Sequence, residues 1–152
     1  MENYSNEEFE KAKKRILYFE YGNIKVQNNP YAAVLGGQPG TGKTTIHTML
    51  KQIYNIGIIN GDVYRQYHPR FNELHDKYGD ESVKYTQKFA GEMTEALIEE
   101  LSNRKCNIVI EGTLRTAKVP LKTCDILKTK GYKVDLIAVS YTHLRAHETD
   151  QY

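Results

Sequence analysis

A strong charge of either sign and long hydrophobic runs are both missing from the sequence. The 152 residues include 21 basic and 19 acidic side chains, which leave a formal net charge of +2. No global field therefore draws the chain onto nucleic acid or a membrane surface. The apolar runs are far shorter than the roughly 20 residues of a bilayer-crossing helix, and no signal segment opens the chain. We expect a cytoplasmic protein with no nucleic-acid and no membrane partner, in which any specificity for polyanions is local.

Cysteine is scarce as well, and the chain is short. The two cysteines, Cys106 and Cys124, lack CxxC spacing and fall in a predicted strand and a predicted helix. We expect buried thiols rather than a disulfide or a metal site. A length of 152 residues suits one domain with a continuous core.

Helix and strand patterns alternate along the chain. Asp80 is predicted to cap a long helix whose buried stripe is Phe89, Met93, Leu97 and Leu101. Alternation at this spacing favours right-handed crossovers and a parallel sheet covered by helices on both faces, so the predicted fold class is α/β. The predicted strands are 32–35, 57–60, 107–111 and 133–140. Three further helices are predicted. The first starts after Ser5, which forms a capping box with Glu8, the second covers residues 44–53, and the third covers residues 121–130 and is capped at its end by Gly131.

Residues 36–45, "GGQPGTGKTT", carry the most specific local pattern. They contain G-x-x-x-x-G-K-T between a predicted strand and a predicted helix, the setting of a P-loop, in which backbone N–H groups cradle phosphates. Lys43 is placed to reach the β- and γ-phosphates, and the Thr44 hydroxyl to hold Mg²⁺. The alternative is a glycine-rich turn with an unrelated lysine. The candidate nucleotide-binding residues are Gly37, Gln38, Pro39, Gly40, Thr41, Gly42, Lys43, Thr44 and Thr45.

Asp62 follows the second predicted strand. If that strand lies next to the strand before the P-loop, as we expect, its carboxylate approaches the γ-phosphate and can accept a proton from a substrate hydroxyl. The alternative role is to cap the turn. Arg65 either binds phosphate or is simply exposed, and His68 is interpreted as a loop residue rather than a ligand.

Residues 111–116, "EGTLRT", form a second polar segment at a strand end. Glu111, two hydroxyls and Arg115 suit a polar acceptor that has its own hydroxyls and phosphates, and Arg115 can pair bidentately with a diphosphate. The alternative is a hydrogen-bonded strand-to-helix turn. P-loop switches and motors place a Mg²⁺-linked aspartate at this kind of strand end, whereas this strand ends in Glu111.

"GGQPGTGKTT", "NGDVYRQYHP", "IVIEGTLRT" and "VPLKT", in this order, resemble the zeta toxin family of bacterial toxin-antitoxin systems, whose members are UDP-N-acetylglucosamine kinases. The resemblance covers roughly residues 5–139. It implies a P-loop NTPase fold with ATP or GTP as donor, Mg²⁺ as cofactor, phosphorylation of the 3′-hydroxyl of the amino sugar, and a cognate antitoxin partner that inserts a helix at the nucleotide site. It also implies residue roles: Lys43 and Thr44 at the phosphates and Mg²⁺, Asp62 as catalytic base, and Glu95, Glu111, Thr113, Arg115 and Thr123 in acceptor binding.

The chain also departs from the family pattern. Family members continue well past the fourth strand and bring arginines onto the donor phosphates, whereas this sequence stops at Tyr152. Residues 140–152, "SYTHLRAHETDQY", break the apolar pattern and resemble a translated sequencing adapter. We therefore expect an incomplete kinase domain at residues 1–139, with its C-terminal part missing and a non-native tail. Loss of such an arginine costs on the order of 10³-fold or more in rate.

Two other functions stay open from the sequence. One is a related P-loop kinase for another small hydroxyl acceptor, such as a nucleoside or an antibiotic. The other is a nucleotide-binding module without catalysis, which acts as a switch or as a surface that sequesters an antitoxin. The three functions predict different results. The family's kinase transfers phosphate to UDP-N-acetylglucosamine, a related kinase transfers it to another acceptor, and a non-catalytic module binds nucleotide without transfer.

Overall fold

The computed structural model describes residues 1–37, 55–111 and 118–139, and the P-loop after Gly37 lies outside these ranges. The chain divides into two compact units, a first of residues 1–23 and 60–100 and a second of residues 24–59 and 101–152. The helices are α1 (Asn6–Tyr21), α2 (Gly61–Tyr64), α3 (Phe71–Tyr78), α4 (Val83–Asn103) and α5 (Lys118–Thr129), with 3-10 turns at Arg65–Tyr67 and Gly79–Ser82, and the strands are β1 (Tyr31–Gly37), β2 (Ile56–Ile59), β3 (Asn107–Glu111) and β4 (Lys133–Val139).

The second unit contains a four-stranded sheet in the order β2-β3-β1-β4. All three strand pairings are parallel, so the carboxyl ends of the strands share one edge. Helix α5 packs against β4 and β1. The predicted α/β class, a mainly parallel sheet flanked by helices, is confirmed.

The prediction that β1 and β2 are adjacent strands is wrong, because β3 lies between them. They are therefore two strand spacings apart, roughly 10 Å. Burial explains the order. Residues 107–110 of β3 are all buried, and a strand covered on both faces belongs inside a parallel sheet, whereas the short strand β2 can form an edge.

Apolar residues from three strands form the core of the second unit. Ala33 and Leu35 of β1 pack with Ile56 of β2 and Val109 of β3. Cys106 and Cys124 are both buried free thiols, as predicted, and burial raises the pKa of each. Both cysteines are therefore protonated and inert near neutral pH.

Two helices end in the same hydrogen-bonded motif. At the end of α4 the N–H of Cys106 donates to the carbonyl of Leu101, and after α5 the N–H of Tyr132 donates to the carbonyl of Leu127. Each motif needs a left-handed residue, which is Lys105 (φ 59°) after α4 and Gly131 (φ 90°) after α5. The predicted cap at Gly131 is confirmed.

Two glycine-to-alanine substitutions are expected to change stability in opposite directions. Gly131→Ala places a Cβ on a residue with φ of +90°, so it is expected to lower the free energy of unfolding by about 1–2 kcal/mol. Gly91→Ala lies inside α4, where nothing is within 4 Å of an added Cβ, and is expected to raise it by about 0.5–1 kcal/mol. Urea unfolding of both variants measures the two changes in the free energy of unfolding. Changes of the same sign would contradict the expected opposite effects.

The first unit is built from helices. The capping box of Ser5 and Glu8 at α1 is confirmed, and Phe89, Met93, Leu97 and Leu101 of α4 are at most 1% exposed, as the predicted stripe requires. Asp80 does not cap α4, because a 3-10 turn at Gly79–Ser82 precedes the helix, which starts at Val83. Helices α2 and α3 were not predicted. No helix among the described residues is long and apolar enough to cross a membrane.

An aromatic cluster of Tyr4, Phe9, His68 and Phe89 joins the N-terminal segment to the helices of the first unit. The ring centroids of Tyr4, Phe9 and His68 lie 5.2, 5.9 and 5.1 Å from that of Phe89. His68 lies between the 3-10 turn and α3, so its interpretation as a loop residue is confirmed, and its side chain is 3% exposed. Its Nδ1 accepts the backbone N–H of Arg70, which leaves Nε2 to donate to the carbonyl of Glu2. These two bonds require the neutral ring.

Protonation of His68 is expected to destabilise the protein below neutral pH. Burial lowers the pKa of His68 in the fold, whereas the unfolded chain has the ordinary value near 6.5. The unfolded state then binds more protons, so the free energy of unfolding falls as the pH drops through about 6.5. The neighbours that face the ring work in both directions, because Arg70 and the N-terminal amine lower its pKa and Glu8 raises it.

Thermal unfolding between pH 7.5 and 5.5 tests this dependence. His68→Asn keeps an acceptor for Arg70 but cannot be protonated, so its Tm is expected to vary less over that range than the Tm of the parent. His75→Asn is the matched control, because His75 is exposed on α3. Glu8 affects stability in a separate, lower pH range, because the hydrogen bond that it accepts from Arg70 lowers its pKa. Equal pH slopes for parent and His68→Asn would refute the role of His68.

Candidate functional site

The described residues include five of the predicted site residues. Gly37, Glu111 and Thr123 belong to the second unit, and Asp62 and Glu95 to the first. The others lie outside the described residues: Gln38, Pro39, Gly40, Thr41, Gly42, Lys43, Thr44, Thr45, Thr113 and Arg115.

In the second unit, Glu111 and the start of the P-loop occupy neighbouring strands. Gly37 is the last residue of β1 and Glu111 is the last of β3. Glu111 pairs with Leu35, so one strand spacing of about 4.8 Å separates their backbones. Thr123 is half-buried on α5, the helix that packs against β1 and β4. The sheet therefore places a carboxylate beside the strand that leads into the predicted phosphate loop.

In the first unit, local hydrogen bonds fix the backbone of Asp62. The side chain of Asn60 caps α2 by accepting the backbone N–H of Asp62 at 3.0 Å, a turn geometry that asparagine favours. The Asp62 side chain itself is 83% exposed, and its Oδ1 accepts a hydrogen bond from Nε of Arg65 at 3.2 Å. An exposed carboxylate on a fixed backbone can meet a substrate hydroxyl.

Gly61 brings helix α2 against α4. A Cβ at Gly61 would lie 2.9 Å from Oγ1 of Thr94, a distance that excludes any larger residue unless Thr94 moves. Thr94 is itself held, since its hydroxyl donates to the carbonyl of Ala90 at 2.7 Å. Asp62 follows Gly61 and Glu95 follows Thr94, so these two carboxylates belong to helices that are in contact. Glu95 is exposed.

Tyr21 of α1 and Tyr64 of α2 form a second contact that holds α2 in place. Both side chains are buried, and their hydroxyls hydrogen-bond to each other. Burial raises the pKa of both tyrosines, so the pair is neutral and joins α2 to α1. The sequence does not predict this contact, because the two tyrosines lie 43 positions apart and no local pattern links them.

A cleft of about 310 Å³ in the first unit lies beside the segment from Gln66 to Glu73 and is rimmed by Arg15 and Arg70, and neither Asp62 nor Glu95 lines it. Among the described residues, no three His, Cys, Asp or Glu side chains are grouped closely enough to hold a metal ion.

The family model for "Zeta toxin" matches residues 18–149. The chain belongs to the zeta toxin family.

Curated members of the zeta toxin family match nearly the whole chain. Toxin PezT of Streptococcus pneumoniae is 45% identical over 142 residues, which are 92% of this chain and 56% of PezT. Toxin zeta of Streptococcus pyogenes is 34% identical over 147 residues, 95% of this chain and 51% of that toxin. The chain thus spans about half the length of the curated relatives that it matches.

A solved structure agrees with the fold of this zeta toxin family chain. It comes from a study of the PezAT chromosomal toxin-antitoxin system of Streptococcus pneumoniae, is 46% identical, and superposes with a TM-score of 0.85 over 90% of this chain and 57% of its own. The α/β architecture is therefore shared with a solved structure from that toxin-antitoxin study.

Proposed function

We propose that this chain is the nucleotide-binding and catalytic part of a toxin kinase from a bacterial toxin-antitoxin system, acting in the cytoplasm. It transfers the γ-phosphoryl group of ATP or GTP to the 3′-hydroxyl of UDP-N-acetylglucosamine, with Mg²⁺ as cofactor. The observation that carries the proposal is the zeta toxin match over residues 18–149, which includes both the P-loop sequence and Asp62. The relatives named toxins and the toxin-antitoxin structure support the toxin role and a cognate antitoxin partner.

The donor site is formed by the P-loop. Residues 37–45, except Pro39, supply backbone N–H groups to the phosphates, and Lys43 neutralises charge on the β- and γ-phosphoryl oxygens. Thr44 would hold Mg²⁺ through its hydroxyl. Mg²⁺ takes few protein ligands when substrate phosphates supply the rest. When bound, Mg²⁺ stabilises negative charge on the transferred group.

Asp62 acts on the acceptor. Its Oδ1 is occupied by Arg65, and Oδ2 has no hydrogen-bond partner among the described residues. Oδ2 can therefore accept the proton of the sugar 3′-hydroxyl. The hydroxyl oxygen then attacks the γ-phosphorus in line with the leaving nucleoside diphosphate of the donor. Glu95, Glu111, Thr113, Arg115 and Thr123 bind the acceptor, with Arg115 paired to its diphosphate.

One assay tests the proposal. The chain is incubated with γ-³²P-ATP, Mg²⁺ and UDP-N-acetylglucosamine, and the products are separated by anion exchange. A labelled sugar nucleotide is expected, and no labelled product is expected with the 3′-deoxy analogue. Equal labelling of the 3′-deoxy analogue would refute the 3′-hydroxyl as acceptor. Transfer only to another acceptor would make the chain a different kinase, and binding without transfer would make it a non-catalytic module.

A further inference from the structure

Arg65 makes a set of contacts that leaves it little freedom. Its Nε donates to Oδ1 of Asp62 at 3.2 Å. Its Nη1 donates to the carbonyl of Val83 at 2.8 Å and to Oγ1 of Thr86 at 3.0 Å. The Arg65 side chain is 22% exposed, and Thr86 is 2% exposed. The guanidinium group therefore links an exposed carboxylate to a buried position near the start of α4.

These contacts argue against the two roles that the sequence left open for Arg65. It is not a freely exposed arginine, because two acceptors on α4 hold it. Direct bidentate binding of phosphate is also disfavoured, since it needs N–H groups on two guanidinium nitrogens and both Nε and Nη1 are already used. Only Nη2 has no hydrogen-bond partner among the residues that the structure describes.

The need for such a link follows from the exposure of Asp62. The carboxylate extends from a four-residue helix and is 83% exposed, so alone it would move among rotamers. An exposed ion pair usually contributes little, because both side chains must be ordered to form it. Here the guanidinium group is already ordered by α4, a helix of 21 residues. Pairing with it restricts Asp62 at small additional entropic cost.

We infer that Arg65 is a positioning residue that holds the Asp62 carboxylate in the orientation needed to accept the proton of the substrate hydroxyl. The inference rests on the proposed phosphotransferase function. Nε engages one carboxylate oxygen from the side and leaves the other available for the hydroxyl. A reacting group displaced by about 1 Å can cost on the order of 10²-fold in rate, so this restraint affects the chemical step rather than nucleotide binding.

A double-mutant cycle on this chain tests the catalytic part of the inference. Arg65→Met is expected to lower kcat by about 10- to 100-fold with little change in the KM for ATP. In the Asp62→Asn background the same substitution is expected to lower the residual rate hardly at all, because Arg65 acts through Asp62. Equal losses in both backgrounds would overturn the inference and assign Arg65 an independent role, such as phosphate binding.

Two further variants control for charge and stability. Lys84→Met breaks another i, i+3 ion pair, with Glu81 at 2.5 Å, in which both side chains are largely exposed, and is expected to leave kcat unchanged. Thr86→Val removes one of the two acceptors that hold Nη1, so it is expected to reduce kcat by a smaller factor than Arg65→Met. A Thr86→Val enzyme with full activity would contradict the anchoring on α4.

NMR tests the contact without any enzymatic assay. The Arg65 Nε–H resonance of the folded chain is expected to exchange slowly with water and to shift in Asp62→Asn. A resonance that is unaffected by Asp62→Asn would refute the contact and the inference. Absence of transfer by the parent chain would instead refute the proposed function, and the two failures are thereby distinguished.

Discussion

Replacement of Asp62 by Asn is expected to lower kcat for phosphoryl transfer by about 10²- to 10⁴-fold, the usual contribution of a general base. The amide keeps the shape of the side chain but cannot take a proton from the sugar hydroxyl. The backbone of α2 should not move, because the Asn60 cap bonds to the N–H of Asp62 and not to its carboxylate. Steady-state kinetics measures kcat, and calorimetry measures the Kd for Mg-ATP.

The affinity for Mg-ATP separates this role from a structural one. We expect a nearly unchanged Kd, because the predicted donor site lies in residues 37–45 and not at Asp62. Asp76→Asn is the matched control, since Asp76 is exposed on α3 in the same unit, and it should retain full activity. Transfer by Asp62→Asn at the parental rate would eliminate Asp62 as the base.

Features of the fold that depend on local chemistry were predictable from the sequence. Strand β3 is a nearly continuous apolar run because both of its faces are covered. Helix α4 shows its buried stripe at four-residue steps, and the cap at Gly131 needs a left-handed residue. In each case the physical cause acts within a few residues, so the sequence pattern records it.

Features that depend on distant contacts were not predictable. The order of the strands is set by the crossovers and by burial, and it places β3 between two strands that follow each other along the chain. Helix α3 is short, and although Phe71, Leu74 and Tyr78 recur at helical spacing, Leu74 is the only one of its residues that is buried. The strand order has no local pattern that predicts it, whereas the short apolar period of α3 could have been recognised.

The candidate site also combines features that are local in the sequence with features that depend on distant contacts. The P-loop motif and the Asx turn at Asn60 are local, and both can be recognised in the sequence. The partners of Arg65 are Val83 and Thr86, 18 and 21 positions away, and the contact of Gly61 with Thr94 also depends on helix packing. The sequence can therefore suggest a candidate reacting group, whereas the contacts around it are visible only in the structure.

Replacement of Phe89 by Ala is expected to have the largest effect on stability, a loss of about 3–5 kcal/mol in the free energy of unfolding. The side chain is fully buried, and its ring packs edge to face with Tyr4, Phe9 and His68. Such aromatic pairs add about 0.5–1.5 kcal/mol beyond the burial of their area. Urea denaturation of parent and variant measures the difference.

Phe19→Ala removes the same atoms from an exposed position and is the matched control. Phe19 is 64% exposed and packs against the exposed ring of Tyr18, so its loss should cost less than about 1 kcal/mol. Phe89→Leu keeps most of the buried apolar volume but not the ring contacts, so it should fall between parent and Phe89→Ala. Because Phe89 lies one turn after Thr86 on α4, Phe89→Ala is also expected to loosen the anchor of Arg65. A loss no greater than that of Phe19→Ala would show that the aromatic cluster does not hold the first unit together.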